Sequence, residues 1–169
     1  MKTLDSILNR RSIRKYKTNP VSDDKVSLLI KAGMYAPSAR NTQPWHFIIV
    51  TDRVLLNKVM DFHPYALMLA EAPLAIVVCG DRTIEPSDSY LAINCSAATE
   101  NILLAAPELD LGTVWLGVYP RIERMKGVSE LFGLSSDILP VSIVAVGYPD
   151  EQVEHPERFL NERIHFNVW

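Results

Sequence analysis

The chain predicts a β-sheet covered by helices, and three observations carry that reading. Helical and strand-like stretches alternate along its whole length, with no internal repeat, linker or low-complexity segment. Roughly four short runs are rich in β-branched and aromatic residues, the pattern of strands. One long stretch, free of glycine and proline, has the character of a buried helix. Layer packing then places helices over the sheet. A length of 169 residues, with 48% hydrophobic and 22% charged side chains, suits one globular domain over residues 1–169.

Each element has a local cause. Residues 3–9 read as a short helix, with Thr3 as N-cap and Asp5 in the first turn. Ser22, Asp23 and Asp24 open a second helix, whose apolar positions Val26, Leu29, Ile30 and Gly33 follow helical spacing until Pro37 stops it. "WHFIIV" (45–50) is a strand, and 51–60 is a helix capped by Thr51 or Asp52. "PLAIVVCG" (73–80) is a buried strand closed by glycine. The longest helix spans 87–106 and is apolar on most faces, so it packs in the core or against a second chain. "GTVWLG" (112–117) is a short strand, 120–133 a helix with Pro120 at or near N1, and 139–149 a buried strand. Residues 150–169 show no helical period, yet Ile164, Phe166 and Trp169 are too apolar to stand in water. That arm is expected to pack on another subunit.

Bulk properties exclude several functions. A net charge of -3 and a pI near 5.8 argue against general binding of nucleic acid. The cysteines Cys79 and Cys95 form no disulfide framework, and no Cys/His cluster suggests a metal site. Neither a leader pattern nor an apolar run of membrane-spanning length is evident. A cytoplasmic protein is expected.

Against that acidic background, "RRSIRKYK" (10–17) gathers five cations in eight residues: Arg10, Arg11, Arg14, Lys15 and Lys17. A short basic run is commonly a solvated face. Arg10, Ser12 and Arg14 alternate, however, so an extended segment points them to one side. Two guanidinium forks and a hydroxyl suit a phosphoester. "YAPSARNTQPW" (35–45) is a loop stiffened by Pro37 and Pro44 and bearing Ser38, Asn41, Thr42 and Gln43. It is either a plain connection or a reader of a heteroaromatic edge. In "DLGTVWLGVYP" (110–120), Gly112 and Gly117 bracket a strand, which marks close approach by a ligand or another backbone. A flat ring resting on Trp115 and Leu116 fits that pattern. Arg158, in "HPERF", is a further cation available to a phosphate.

In this order and spacing, "RRSIRKY", "APSARNTQPW", "CSAATENILLAA", "LGTVWLG", "VGYP" and "ERFLNERIHFNVW" resemble the flavin-dependent nitroreductase family, in its shorter clostridial-type members. The resemblance runs nearly end to end. It implies an α+β fold, a three-layer α/β/α sandwich with a mostly antiparallel sheet, in an intertwined homodimer holding FMN at the interface. Arg10, Arg11 and Ser12 would hold the phosphate and ribityl chain, with Arg158 closing that site. Arg14 would lie near the N1/O2 edge. Pro37, Ser38, Ala39 and Asn41 would come from the partner subunit. Trp115, Leu116 and Gly117 would flank the ring, with a backbone N–H near N5. His63 and Tyr65 stand where longer members place an amide over the pyrimidine edge. The implied activity is FMN-dependent NAD(P)H oxidoreduction of nitroaromatic or quinone-type acceptors, with NADH or NADPH as donor. A flavin-binding sensor or carrier with little turnover is the alternative.

Overall fold

Alternation along one strand, β2 (Leu74–Asp81), sorts the molecule into layers. Successive strand side chains point to opposite faces. Leu74, Ile76 and Val78 enter one buried cluster, while Ala75, Val77 and Cys79 enter another. A strand buried on both faces needs helices on both sides.

The computed structural model describes residues 3–169. Its remaining elements are α1 (Thr3–Asn9), α2 (Asp23–Met34), β1 (Trp45–Val50), α3 (Arg53–Val59), α4 (Asp88–Ala105), β3 (Gly112–Gly117), α5 (Ile122–Phe132) and β4 (Ile138–Gly147). The four strands pair antiparallel in the order β1-β2-β4-β3. Leu29 of α2 and Leu91, Cys95, Ala98 and Ile102 of α4 fill the first cluster. Leu56 and Val59 of α3 and Val128 of α5 fill the second. The expected α/β/α sandwich is therefore present, with the core split by the sheet. The two thiols lie in different clusters, Cys79 on the sheet and Cys95 on α4, and both are free. Burial pushes each up to about 12.

Caps follow the local chemistry. Asp52 is the cap of α3, its carboxylate accepting the Val54 N–H at 2.7 Å and the Leu55 N–H at 3.1 Å. Ser87 caps α4 by accepting the Tyr90 N–H. The expectation of Pro120 near N1 of α5 needs correction. Arg121 is the N-cap, extended at φ -80 and ψ 108, and its N–H closes a turn on the Val118 carbonyl at 2.9 Å. Pro120 therefore lies before the cap.

The long helix α4 is not buried all round. Leu91, Asn94, Cys95, Ala98, Thr99, Ile102 and Leu103 form its buried stripe, whereas Ile93 is 63% exposed. Arm residues Phe159, Phe166, Val168 and Trp169 are also exposed. Among the described residues, no helix is long and apolar enough to cross a membrane.

Strand β3 lies at one end of the sheet order, and the basic segment covers its open edge. Ser12 bridges Thr113 in parallel, and the Ile13 N–H donates to the Thr113 carbonyl at 2.9 Å. Farther on, Tyr16 bridges Pro149, and the Lys17 N–H reaches the Tyr148 carbonyl at 2.9 Å. The Tyr16 ring is buried, and its hydroxyl donates to the Ile13 carbonyl at 2.5 Å.

Candidate functional site

Residues 10–14 are held as a strand-like rail beside β3. Arg14 is exposed, and its guanidinium reaches back to the Ser12 carbonyl at 3.4 Å. Arg10 stands 3.8 Å from Glu100 of α4, a loose pairing. Arg11 differs from its neighbours. Its guanidinium donates to the carbonyls of Glu154, Leu8 and Arg10 at 3.0, 2.9 and 2.7 Å. It ties the arm to α1, so its charge is partly committed to backbone. Glu151 adds a second tie, accepting from the backbone N–H groups of Arg14 and Lys15. Arg158 lies exposed farther along the same arm.

The 36–45 loop is rigid for reasons only partly legible in its prolines. Arg40, Asn41 and Gln43 all have positive φ, at 54, 56 and 49 degrees, a region non-glycine residues seldom enter. Several bonds impose it. Ser38 Oγ accepts the Gln43 N–H at 2.9 Å, and Asn41 Oδ1 accepts from Gln43 Nε2 at 3.1 Å. The Arg40 guanidinium meets Glu85 at 2.5 Å, and that carboxylate is 1% exposed. Bonds from the Ser87 N–H and from Arg40 hold the Glu85 carboxyl below the usual carboxylate range. Below the loop, buried Asn94 of α4 accepts the Ala39 N–H at 3.0 Å. Pro37 is exposed at the loop's start. Asn94 and Glu85 carried no motif signal; a polar residue within an apolar helical stripe was the available clue.

Strand alternation divides the third cluster. Trp115 and Gly117 share one face of β3, while Leu116 is 3% exposed and belongs to the core on the other. Leu116 can therefore reach a ligand only through its backbone. The glycines also separate. A Cβ on Gly112 would lie 2.8 Å from three atoms of Ile13, so its close neighbour is the basic segment. A Cβ on Gly117 would meet nothing within 4 Å, so its face is open.

The Gly117 carbonyl accepts two hydrogen bonds, from His63 Nε2 at 3.0 Å and from Arg124 Nη1 at 2.8 Å. His63 is 1% exposed, and its Nδ1 has no partner. Burial, with Arg124 close by, lowers its pKa below the ordinary imidazole value. The ring is therefore neutral with the proton on Nε2. The sign of the linkage follows: an unfolded histidine protonates near pH 6.5 and the folded one only below that. His63 thus has no effect on stability well above pH 6.5 and weakens the fold as pH falls from there through the folded value. Urea titrations at about pH 7.5 and about pH 5.5 should show a larger loss for the wild type than for His63→Gln.

Helix α4 and strand β3 join these pieces. Asn94 holds the loop and Glu100 faces Arg10, about 9 Å apart along one helix axis. Thr113, bridged to Ser12, is two residues from Trp115 on the same strand face. The residues fit a flat ligand with polar edges and an anionic tail: an open face at Gly117, a cationic segment pinned to the same strand at Thr113, and, on the separate loop, two buried atoms without partners, Asn94 Nδ2 and Thr42 Oγ1. A buried polar atom left unpaired points to a missing partner.

Comparison with known proteins agrees. The family model described as "Nitroreductase family" matches residues 7–63 and 62–148. A protein of Archaeoglobus fulgidus, provisionally named NADH dehydrogenase/NAD(P)H nitroreductase, is 48% identical over 171 residues, covering 98% of each chain. A solved structure from Parabacteroides distasonis, with the same provisional name, superposes with TM-score 0.95 at 44% identity, over 99% of this chain and 98% of that one. An FMN-dependent nitroreductase from Clostridium difficile superposes with TM-score 0.90 at 31% identity, over 98% and 99%. With a family model matching residues 7–148 and relatives agreeing in sequence and fold over nearly the full length, the chain belongs to the nitroreductase family.

Proposed function

We propose that the chain is a cytoplasmic, homodimeric oxidoreductase that carries hydride from NAD(P)H through FMN to nitroaromatic or quinone-type acceptors. Family membership makes it an FMN-dependent NAD(P)H oxidoreductase. The single observation that supports the site assignment is the pinning of the basic segment to β3 at Thr113, on the strand whose far end is the open Gly117.

FMN held by these residues would supply the redox chemistry, relaying reducing equivalents from nucleotide to acceptor. The chain's own residues bind and orient. Arg10 and Ser12 meet the phosphate, joined by Arg158 from the arm; Arg11 braces the arm and lends its backbone. Arg14 places a fixed cation where negative charge gathers on reduction, which stabilises the reduced state. Gly117 lets the ring approach the backbone of β3, with Trp115 at its side. Pro37, Ser38, Ala39 and Asn41 present the rigid loop to the flavin held mainly by the other subunit. The arm, 150–169, wraps the partner, which accounts for the exposure of Phe159, Phe166 and Trp169.

Anaerobic addition of NADH or NADPH should bleach the flavin of the purified dimer, and a quinone should restore it. Bound flavin that neither nucleotide bleaches would replace this reading with a carrier or sensor.

A further inference from the structure

Arg124, bonded to the Gly117 carbonyl, leads from the end of β3 to the surface. A cavity of about 650 Å³ opens there, within the range of small-molecule sites. Phe62, Pro64 and Tyr65 form one wall, and the segment 120–124 forms the other. Arg124 belongs to this wall and to the Gly117 clamp at once, so the cavity adjoins the end of β3.

We infer that this cavity recognises the anionic substituent of a flat aromatic ligand, with Arg121 as the charge contact. The inference rests on the flavin reading, because it makes this cavity the slot in which donor or acceptor meets the ring.

Charge is the first support. Two guanidinium groups, of Arg121 and Arg124, face one carboxylate, Glu123. Neither arginine has a carboxylate partner among the described residues. Arg124 is already spoken for, bonded to the Gly117 carbonyl and held 5.4 Å over the Tyr65 ring. Arg121 has no side-chain hydrogen bond, yet its backbone is fixed at both ends: its N–H donates to Val118, and its carbonyl accepts from Met125. An unneutralised guanidinium on a fixed stretch of backbone can match a carboxylate or phosphate with its planar fork.

Shape is the second support. Tyr65 is 69% exposed and Ile122 78% exposed, two large apolar groups in the cavity lining. A flat ring packed on them would bury apolar surface. Phe62 adds depth, and its own place is fixed by Gly127, whose missing Cβ leaves room for that ring.

The anion has two sources, a carboxylated acceptor or a phosphate of the nicotinamide nucleotide. The test uses the flavin-loaded dimer, with 4-nitrobenzoate and nitrobenzene as paired acceptors and NADH as donor, in wild type, Arg121→Gln and Arg121→Lys. With a carboxylated acceptor as ligand, Arg121→Gln raises KM for 4-nitrobenzoate about five- to tenfold, leaves nitrobenzene and NADH unchanged, and Arg121→Lys recovers part of the loss. With the nucleotide as ligand, the KM for NADH rises instead. Unchanged KM values for all three, or a loss of FMN affinity in Arg121→Gln, would overturn the inference. Calorimetric titration of benzoate against benzamide into the purified chain separates the two readings. A colourless protein that still prefers benzoate defeats the flavin reading alone. A yellow protein that binds both equally, with an unchanged KM for NADH in Arg121→Gln, defeats the charge contact alone.

Discussion

Arg10→Ala combined with Arg14→Ala releases FMN while the far-ultraviolet circular dichroism stays that of the wild type. Each arginine offers charge-assisted hydrogen bonds worth about 1.5–3 kcal/mol. Two together amount to about 3–6 kcal/mol, or about 10²- to 10⁴-fold in Kd. Neither side chain supports the fold strongly. The Arg10 contact to Glu100 is long at 3.8 Å, and Arg14 contacts only its own segment's Ser12 carbonyl through its side chain. The segment itself is held by backbone bonds and by buried Tyr16, which both variants keep. Fluorescence titration with FMN reads the loss. Arg158→Ala should weaken binding less, because that residue lies on an exposed stretch. Full flavin occupancy in the double variant would reduce the basic run to a solvated face.

Two glycines of β3, five residues apart, should respond in opposite ways. Gly112→Ala places a Cβ 2.8 Å from Ile13 Cβ, Cγ1 and Cγ2. A Cβ cannot rotate aside, so residues 12–13 must move off the strand. Overpacking of this kind costs about 1–3 kcal/mol. The rail shifts with it, so FMN affinity falls together with stability. Gly117→Ala meets no protein atom within 4 Å, so its stability is unchanged or slightly raised by the reduced freedom of the unfolded chain. Its methyl group instead stands on the face assigned to the ring, and flavin binding or the flavin spectrum changes. Thermal melts paired with FMN titrations check both. A Gly117→Ala protein with wild-type affinity and spectrum would move the ring elsewhere.

Much of this was readable from residue patterns because the deciding interactions are local. Alternation, caps and proline stops placed β1 (Trp45–Val50) and β3 (Gly112–Gly117) to the residue and located the helices closely. What escaped were the partners that folding brings from afar. Asn94 reads as one polar residue in an apolar helix until the Ala39 N–H arrives from 55 positions away. His63 and Arg124 share nothing in sequence until both reach the Gly117 carbonyl. Arg11 looked equivalent to Arg10, yet three carbonyls claim its guanidinium. Leu116 adjoins Trp115 in sequence, yet a period of two sends it into the opposite layer. Long-range pairing and facing are set by topology, which composition does not encode.

The parallel bridge between Ser12 and Thr113 also bears on how the protein behaves in a crowded solution. If the N-terminal strip lifts away, the outermost strand bares a row of amides able to recruit a stranger. A coenzyme bound as proposed would hold the strip down and by mass action favour the closed form. Cells short of riboflavin would then face clumping of this polypeptide as well as its idleness.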